Sequence, residues 1–125
     1  MNIRLRKSLL CCVLGASILA GVVGCGQSGG ASGEKAFDTA PPEVKQMWVN
    51  AVTAEQSGDH FTAVIGYQGV LGQADKLQPK QISAAEEASK ALLQRLLDAS
   101  AKGDEAARKV LDRLAALDRA KQAVR

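Results

Sequence analysis

The sequence predicts an all-α protein: two tandem helical hairpins behind an N-terminal export signal and a flexible linker. Three observations predict it. Apolar residues recur at three- and four-residue spacing through four stretches after residue 38, the period of a helix face. Gly58-Asp59 and Gly103-Asp104 each fall between two such stretches, their glycines 45 residues apart (103 minus 58). A Gly ends one helix and the following Asp caps the next. The one stretch that also reads as a strand, Thr62-Ala63-Val64-Ile65-Gly66-Tyr67, has no convincing partner strand.

The chain opens with Arg4, Arg6 and Lys7, followed by an uncharged, apolar run over residues 8–23. A charged start, a short apolar run and a small-residue exit make a secretory signal. The run falls short of the roughly 20 apolar residues a membrane-spanning helix needs. It ends in Val22-Val23-Gly24-Cys25, which resembles the lipobox of bacterial lipoproteins. The resemblance implies cleavage before Cys25 and transfer of a diacylglyceryl group to its thiol. The expected organisation is a signal peptide over 1–24, a lipidated Cys25 with a Gly/Ser linker over 25–37, and a helical domain over 38–125. A linker of that composition is flexible, with a reach of about 15 Å. Gln27 stands where an Asp would retain an enterobacterial lipoprotein in the inner membrane, which points to the periplasmic face of the outer membrane.

Each helix has its own signature. The first starts near Pro41-Pro42, since proline suits the first turn, and carries Val44, Met47, Trp48, Ala51 and Val52 on one face. The second is expected over about 60–76, with Phe61, Val64, Ile65, Tyr67, Val70 and Leu71 as its apolar surface. Gly66, Gly69 and Gly72 interrupt it at about 1 kcal/mol each relative to Ala, which reads as close packing against a neighbour. Leu77-Gln78-Pro79 breaks the chain. Ser83 and Glu86 fit a capping box for the third helix, with Pro79 as an earlier alternative start. Ile82, Ala85, Ala88, Leu92, Leu93, Leu96 and Leu97 form its stripe. The fourth helix carries Ala107, Val110, Leu111, Leu114 and Leu117, and its tail over 121–125 is expected to fray.

The first hairpin resembles a tetratricopeptide repeat. Trp48 and Ala51 lie on its first helix, Gly58-Asp59 forms the turn, and Ala63 and Tyr67 follow on the second at the family's spacing. The resemblance implies a concave surface that binds a peptide or protein. Solenoids generally need three or more repeats, so two hairpins can instead close into a four-helix bundle.

Composition excludes several functions. Of 16 Lys and Arg, the three in the signal leave with it, so 13 basic residues meet 13 acidic ones, all beyond Cys25. Such a balance gives no block of positive charge for nucleic acid. Cys11 and Cys12 also leave with the signal, and lipid consumes Cys25, so no disulfide, thiolate metal site or Cys nucleophile is expected. His60 is the sole histidine. Adjacent Asp59 would not face it, and an exposed first-turn role suits it better than catalysis. The acidic pairs Glu86-Glu87 and Asp104-Glu105 sit where negative charge complements a helix dipole. Gly66, Gly69 and Gly72 lack the order of a dinucleotide loop. No metal, cofactor or catalytic residue is expected.

What remains is a lipid-anchored interaction module for an envelope protein or peptide, held to the membrane through Cys25. Trp48, Tyr67 and the Gly66, Gly69, Gly72 face are the candidate partner contacts, with burial of the aromatic pair inside the hairpin as the alternative. The competing reading is a structural lipoprotein that self-associates into a homo-oligomer through its Leu-rich third and fourth helices.

Overall fold

The computed structural model describes residues 30–124, and every regular element among them is helical. The export signal and Cys25 lie outside the described residues. Five α-helices follow one another: α1 (Gly30–Ala36), α2 (Pro42–Gln56), α3 (His60–Leu71), α4 (Pro79–Ala101) and α5 (Glu105–Ala123). Short 3-10 turns at Phe37–Thr39 and Ala74–Lys76 join α1 to α2 and α3 to α4.

Both Gly-Asp pairs form the turns the sequence predicts, and they do so identically. Gly58 (φ +83°) and Gly103 (φ +93°) adopt the left-handed conformation that spares glycine a steric clash. Just beyond each, the Asp N–H reaches back five residues: Asp59 to the Ala54 carbonyl at 2.9 Å, Asp104 to that of Ala99 at 3.0 Å. This 6→1 bond is the Schellman closure. Each Asp then caps the next helix. Asp59 Oδ1 accepts from the Thr62 N–H (3.1 Å), and Asp104 Oδ1 from the N–H groups of Ala106 (2.8 Å) and Ala107 (3.1 Å). The hydrogen bond from Thr62 holds the Asp59 carboxyl below its ordinary pKa, because it favours the charged form.

The helices pack in sequence, α2 on α3, α3 on α4 and α4 on α5, while α1 lies against both α4 and α2. Contact between α2 and α5, which would close a four-helix ring, is not among the substantial packings. The core is built on the first hairpin and α4. Val44, Trp48 and Ala51 from α2, Ala63, Val64, Tyr67 and Val70 from α3, and Ala85, Leu92 and Leu96 from α4 are all buried. From α5 only Ala107 is fully buried; Val110, Leu111 and Leu114 are partly covered.

Several expectations need correction. The linker expected over 25–37 does not extend to its predicted end, because Gly30–Ala36 is helical and Phe37 is fully buried. Gly33 is there for close approach: a Cβ on it would lie 2.4 Å from Cζ2 of Trp48. The second helix stops at Leu71, not near residue 76. The third starts at Pro79, and the Gln78 N–H donates to Gln81 Oε1 at 2.9 Å in place of a Ser83–Glu86 box.

Candidate functional site

Trp48 and Tyr67 are not an exposed patch. They are 1% and 2% exposed, and Trp48 lies between two other aromatic rings. Phe37 stacks on it at 4.3 Å with planes 12° apart, and Tyr67 meets it at 5.3 Å and 50°. Offset and tilted pairs of this kind add about 0.5–1.5 kcal/mol beyond burial.

Two of the three glycines are likewise spent on helix packing. A Cβ on Gly66 would stand 2.7 Å from Cβ of Ala51, and one on Gly69 2.9 Å from Cε of Met47. Gly72 is the C-cap of α3. Trp48, Tyr67, Gly66 and Gly69 are therefore parts of the α2–α3 interface and the core, covered in this structure, whereas Gly72 is exposed and touches only the backbone of its own helix.

Beside them runs a polar link that local sequence patterns do not signal. The Tyr67 hydroxyl donates to Glu55 Oε2 at 2.5 Å, and the Arg95 guanidinium pairs with Glu55 Oε1. One carboxylate near the end of α2 thus ties together α3 and α4, across 12 and 40 residues of sequence. The Glu55 side chain is only 14% exposed, so solvent competes weakly for it. Burial, and then the bond to Glu55 and its charge, push the Tyr67 phenol well above its ordinary pKa.

The sign of the pH effect follows. A phenol that ionises near 10 in the unfolded chain but higher in the folded one stabilises the fold fully below 10, and loses that stabilisation as pH rises above it. Tyr67→Phe should cost about 1–2 kcal/mol at neutral pH and flatten this alkaline loss. Denaturant titrations at neutral and alkaline pH check both. Tyr67 is the only tyrosine, so near-ultraviolet absorbance reports its ionisation directly.

Arg95 also borders a cleft of about 310 Å³ at the junction of the two hairpins, with Leu92, Leu96 and Ala99 as its apolar wall and His60 and Asp104 at its sides. His60 is only partly exposed, and its Nδ1 is buried without a hydrogen-bond partner among the described residues. No Ser, Thr, Cys or Lys side chain joins His60 in this lining. Among the described residues no cluster of His, Cys, Asp and Glu could hold a metal ion. No described helix is long and apolar enough to cross a membrane.

A second cleft, of about 300 Å³, lies where residues 34–38 meet α2, lined by Glu34, Lys35, Phe37, Asp38, Lys45, Trp48 and Val49. The short N-terminal segment packs here against α2 and α4. The buried Gln81 side chain on α4 donates to the Ala36 carbonyl (2.9 Å) and to Thr39 Oγ1 (3.4 Å). Phe37 and Gln81 escaped notice in the sequence because each lies outside the apolar stripe of a predicted helix.

No protein-family model matches the chain. No curated protein matches it. No solved structure matches it.

Proposed function

We propose that the chain is a bacterial lipoprotein whose small helical domain binds a protein or peptide at the surface of an envelope membrane, without catalysis. The observation that carries this reading is Val22-Val23-Gly24-Cys25 at the end of a signal-like stretch, followed by a domain whose charges balance. A diacylated cysteine supplies enough buried methylenes for stable anchoring, at about 0.8 kcal/mol each. Anchoring confines the search for a partner to a surface and raises its effective concentration.

The tetratricopeptide-like reading of the first hairpin belongs to the same proposal. Its support is the turn at Gly58-Asp59 and the buried pair Ala63 and Tyr67 on the helix that follows. Gln27 favours the periplasmic face of the outer membrane over the inner membrane. Affinity capture from envelope extracts tests the reading. The wild-type chain should retain a specific protein at physiological salt, and Cys25→Ala should recover less of it from intact membranes. Capture of no specific protein by either form contradicts it.

One observation favours self-association as the second reading. Leu97 on α4 is 52% exposed, and α5 leaves much of its apolar stripe half covered. Sedimentation separates the two: a tight oligomer weakened by Leu97→Gln supports assembly, and a monomer at micromolar concentration rejects it.

A further inference from the structure

We infer that the cradle between Trp48 on α2 and Gln81 on α4, filled here by the chain's own residues 33–39, is the partner-binding surface, and that its external occupant is a peptide segment bearing an aromatic residue, which displaces residues 33–39. The inference rests on the interaction-module reading above and deepens it by naming the surface and the chemistry of the partner.

The chain's own segment already engages the cradle as a separate peptide would. Its anchor is one aromatic ring, Phe37, fully buried and stacked on Trp48 at 4.3 Å. Buried aromatic anchors dominate peptide and protein recognition. Its backbone is read by a side-chain amide: Gln81 Nε2 donates to the Ala36 carbonyl, a contact any residue at that position can make. At the rim Lys45 pairs with Asp38 at 3.1 Å, with both side chains about half exposed or more. Exposed pairs of this kind contribute little.

Two features mark this occupant as replaceable. α1 spans only seven residues, too few to hold a helix without the surface beneath it. The fit is also incomplete. The cleft of about 300 Å³ stays open beside Phe37 and Trp48, and Val49 at its edge is 38% exposed. The Trp48 indole N–H is buried with no acceptor among the described residues. A ligand that brings an aromatic ring together with a nearby hydrogen-bond acceptor and more apolar surface would satisfy what residues 33–39 leave unsatisfied.

The position of the segment couples occupancy to the membrane. Gly30 lies five residues beyond Cys25, a span of at most about 18 Å of extended chain. Release of everything before α2 lengthens the tether to 16 or 17 residues, at most about 60 Å. Partner binding would thereby let the domain rise from the proposed lipid anchor at Cys25.

The test uses the purified mature chain and two synthetic peptides, one with the sequence of residues 30–40 and one in which its Phe37 is replaced by Ala. Trp48 is the only tryptophan, so its fluorescence reports occupancy. Phe37→Ala protein should bind the first peptide at least tenfold tighter than wild type does, and at least tenfold tighter than it binds the second. A folded Phe37→Ala protein with no saturable response, or with equal affinity for both peptides, overturns the inference.

If Phe37→Ala does not fold, Gly33→Ala pushes the segment off Trp48 while keeping every core side chain, and should show the same selectivity. Hydrogen exchange of the wild type supplies an independent arm. Amides 34–40 should exchange at least a hundredfold faster than those of α3 and α4, and equal protection contradicts a displaceable segment. A wild-type dimer abolished by Phe37→Ala would make a second copy the occupant, and overturn the external peptide. Peptide exchange that succeeds while envelope capture finds nothing removes the interaction-module reading and leaves the exchangeable cradle standing.

Discussion

Trp48→Ala is expected to remove about 3–5 kcal/mol of stability, the range for emptying a large aromatic site in a core. Small domains have only about 5–15 kcal/mol in total, so the variant should lie near the edge of folding. Trp48 is the residue on which three elements converge. Phe37 covers one side, Tyr67 approaches the other, and Gly33 forgoes a side chain to let the indole through. Truncation leaves a cavity that no helix can close without moving the N-terminal segment as well. Loss of the stack also frees Phe37, so the segment should detach before the hairpin melts. Thermal unfolding followed by circular dichroism reads the main effect, expected as a fall in Tm on the order of 20 °C. A fall of only a few degrees would mean that the aromatic cluster contributes little to the core.

The second large effect separates two glycines that look alike in the sequence. Gly66→Ala should destabilise by about 1–3 kcal/mol despite the better helix propensity of alanine, because overpacking moves backbone. Its new Cβ would meet Cβ of Ala51 at 2.7 Å and Cα of Ala51 at 3.1 Å, atoms that cannot swing aside. Gly69→Ala meets only the terminal methyl of Met47, at 2.9 Å. That methyl can rotate away, and the helix then gains up to about 1 kcal/mol from the lost glycine. The two substitutions, one turn apart on α3, should therefore shift the denaturation midpoint in opposite directions. A stabilising shift from Gly66→Ala would show that α2 and α3 do not cross at Gly66 as described.

This contrast shows where sequence reasoning stops. Helix faces were legible because their periodicity is local: Val44, Trp48 and Ala51 declare a buried stripe without reference to anything else. The Gly-Asp turns were legible for the same reason, since a left-handed glycine and an Asp cap are properties of adjacent residues. The α4 start stayed open between Pro79 and Ser83 because two local signals competed, and the cap closed by Gln78 with Gln81 decides for Pro79.

Gly33 misled more deeply. In a Gly/Ser stretch it reads as flexibility, yet its missing Cβ makes room for a ring 15 residues further on. Nothing in the spacing of residues distinguishes those two uses of glycine. The link from Tyr67 through Glu55 to Arg95 was equally invisible, because its partners lie on three different helices. The placement of Trp48 and Tyr67 was open for a related reason: an aromatic on a helix face can serve a core or a partner, and in this structure both rings are buried in the core. Phe37, assigned to the linker, turned out to be the residue that joins the N-terminal segment to that core.

The proposed anchoring rests on the fate of one sulfur atom. Mass spectrometry of the protein recovered from membranes of its native host tests it most directly. The expected result is a mature chain that begins at Cys25 and carries a thioether-linked diacylglyceryl group, released into the aqueous phase by Cys25→Ser. An unmodified Cys25 thiol, in a chain found in the aqueous phase, would contradict it.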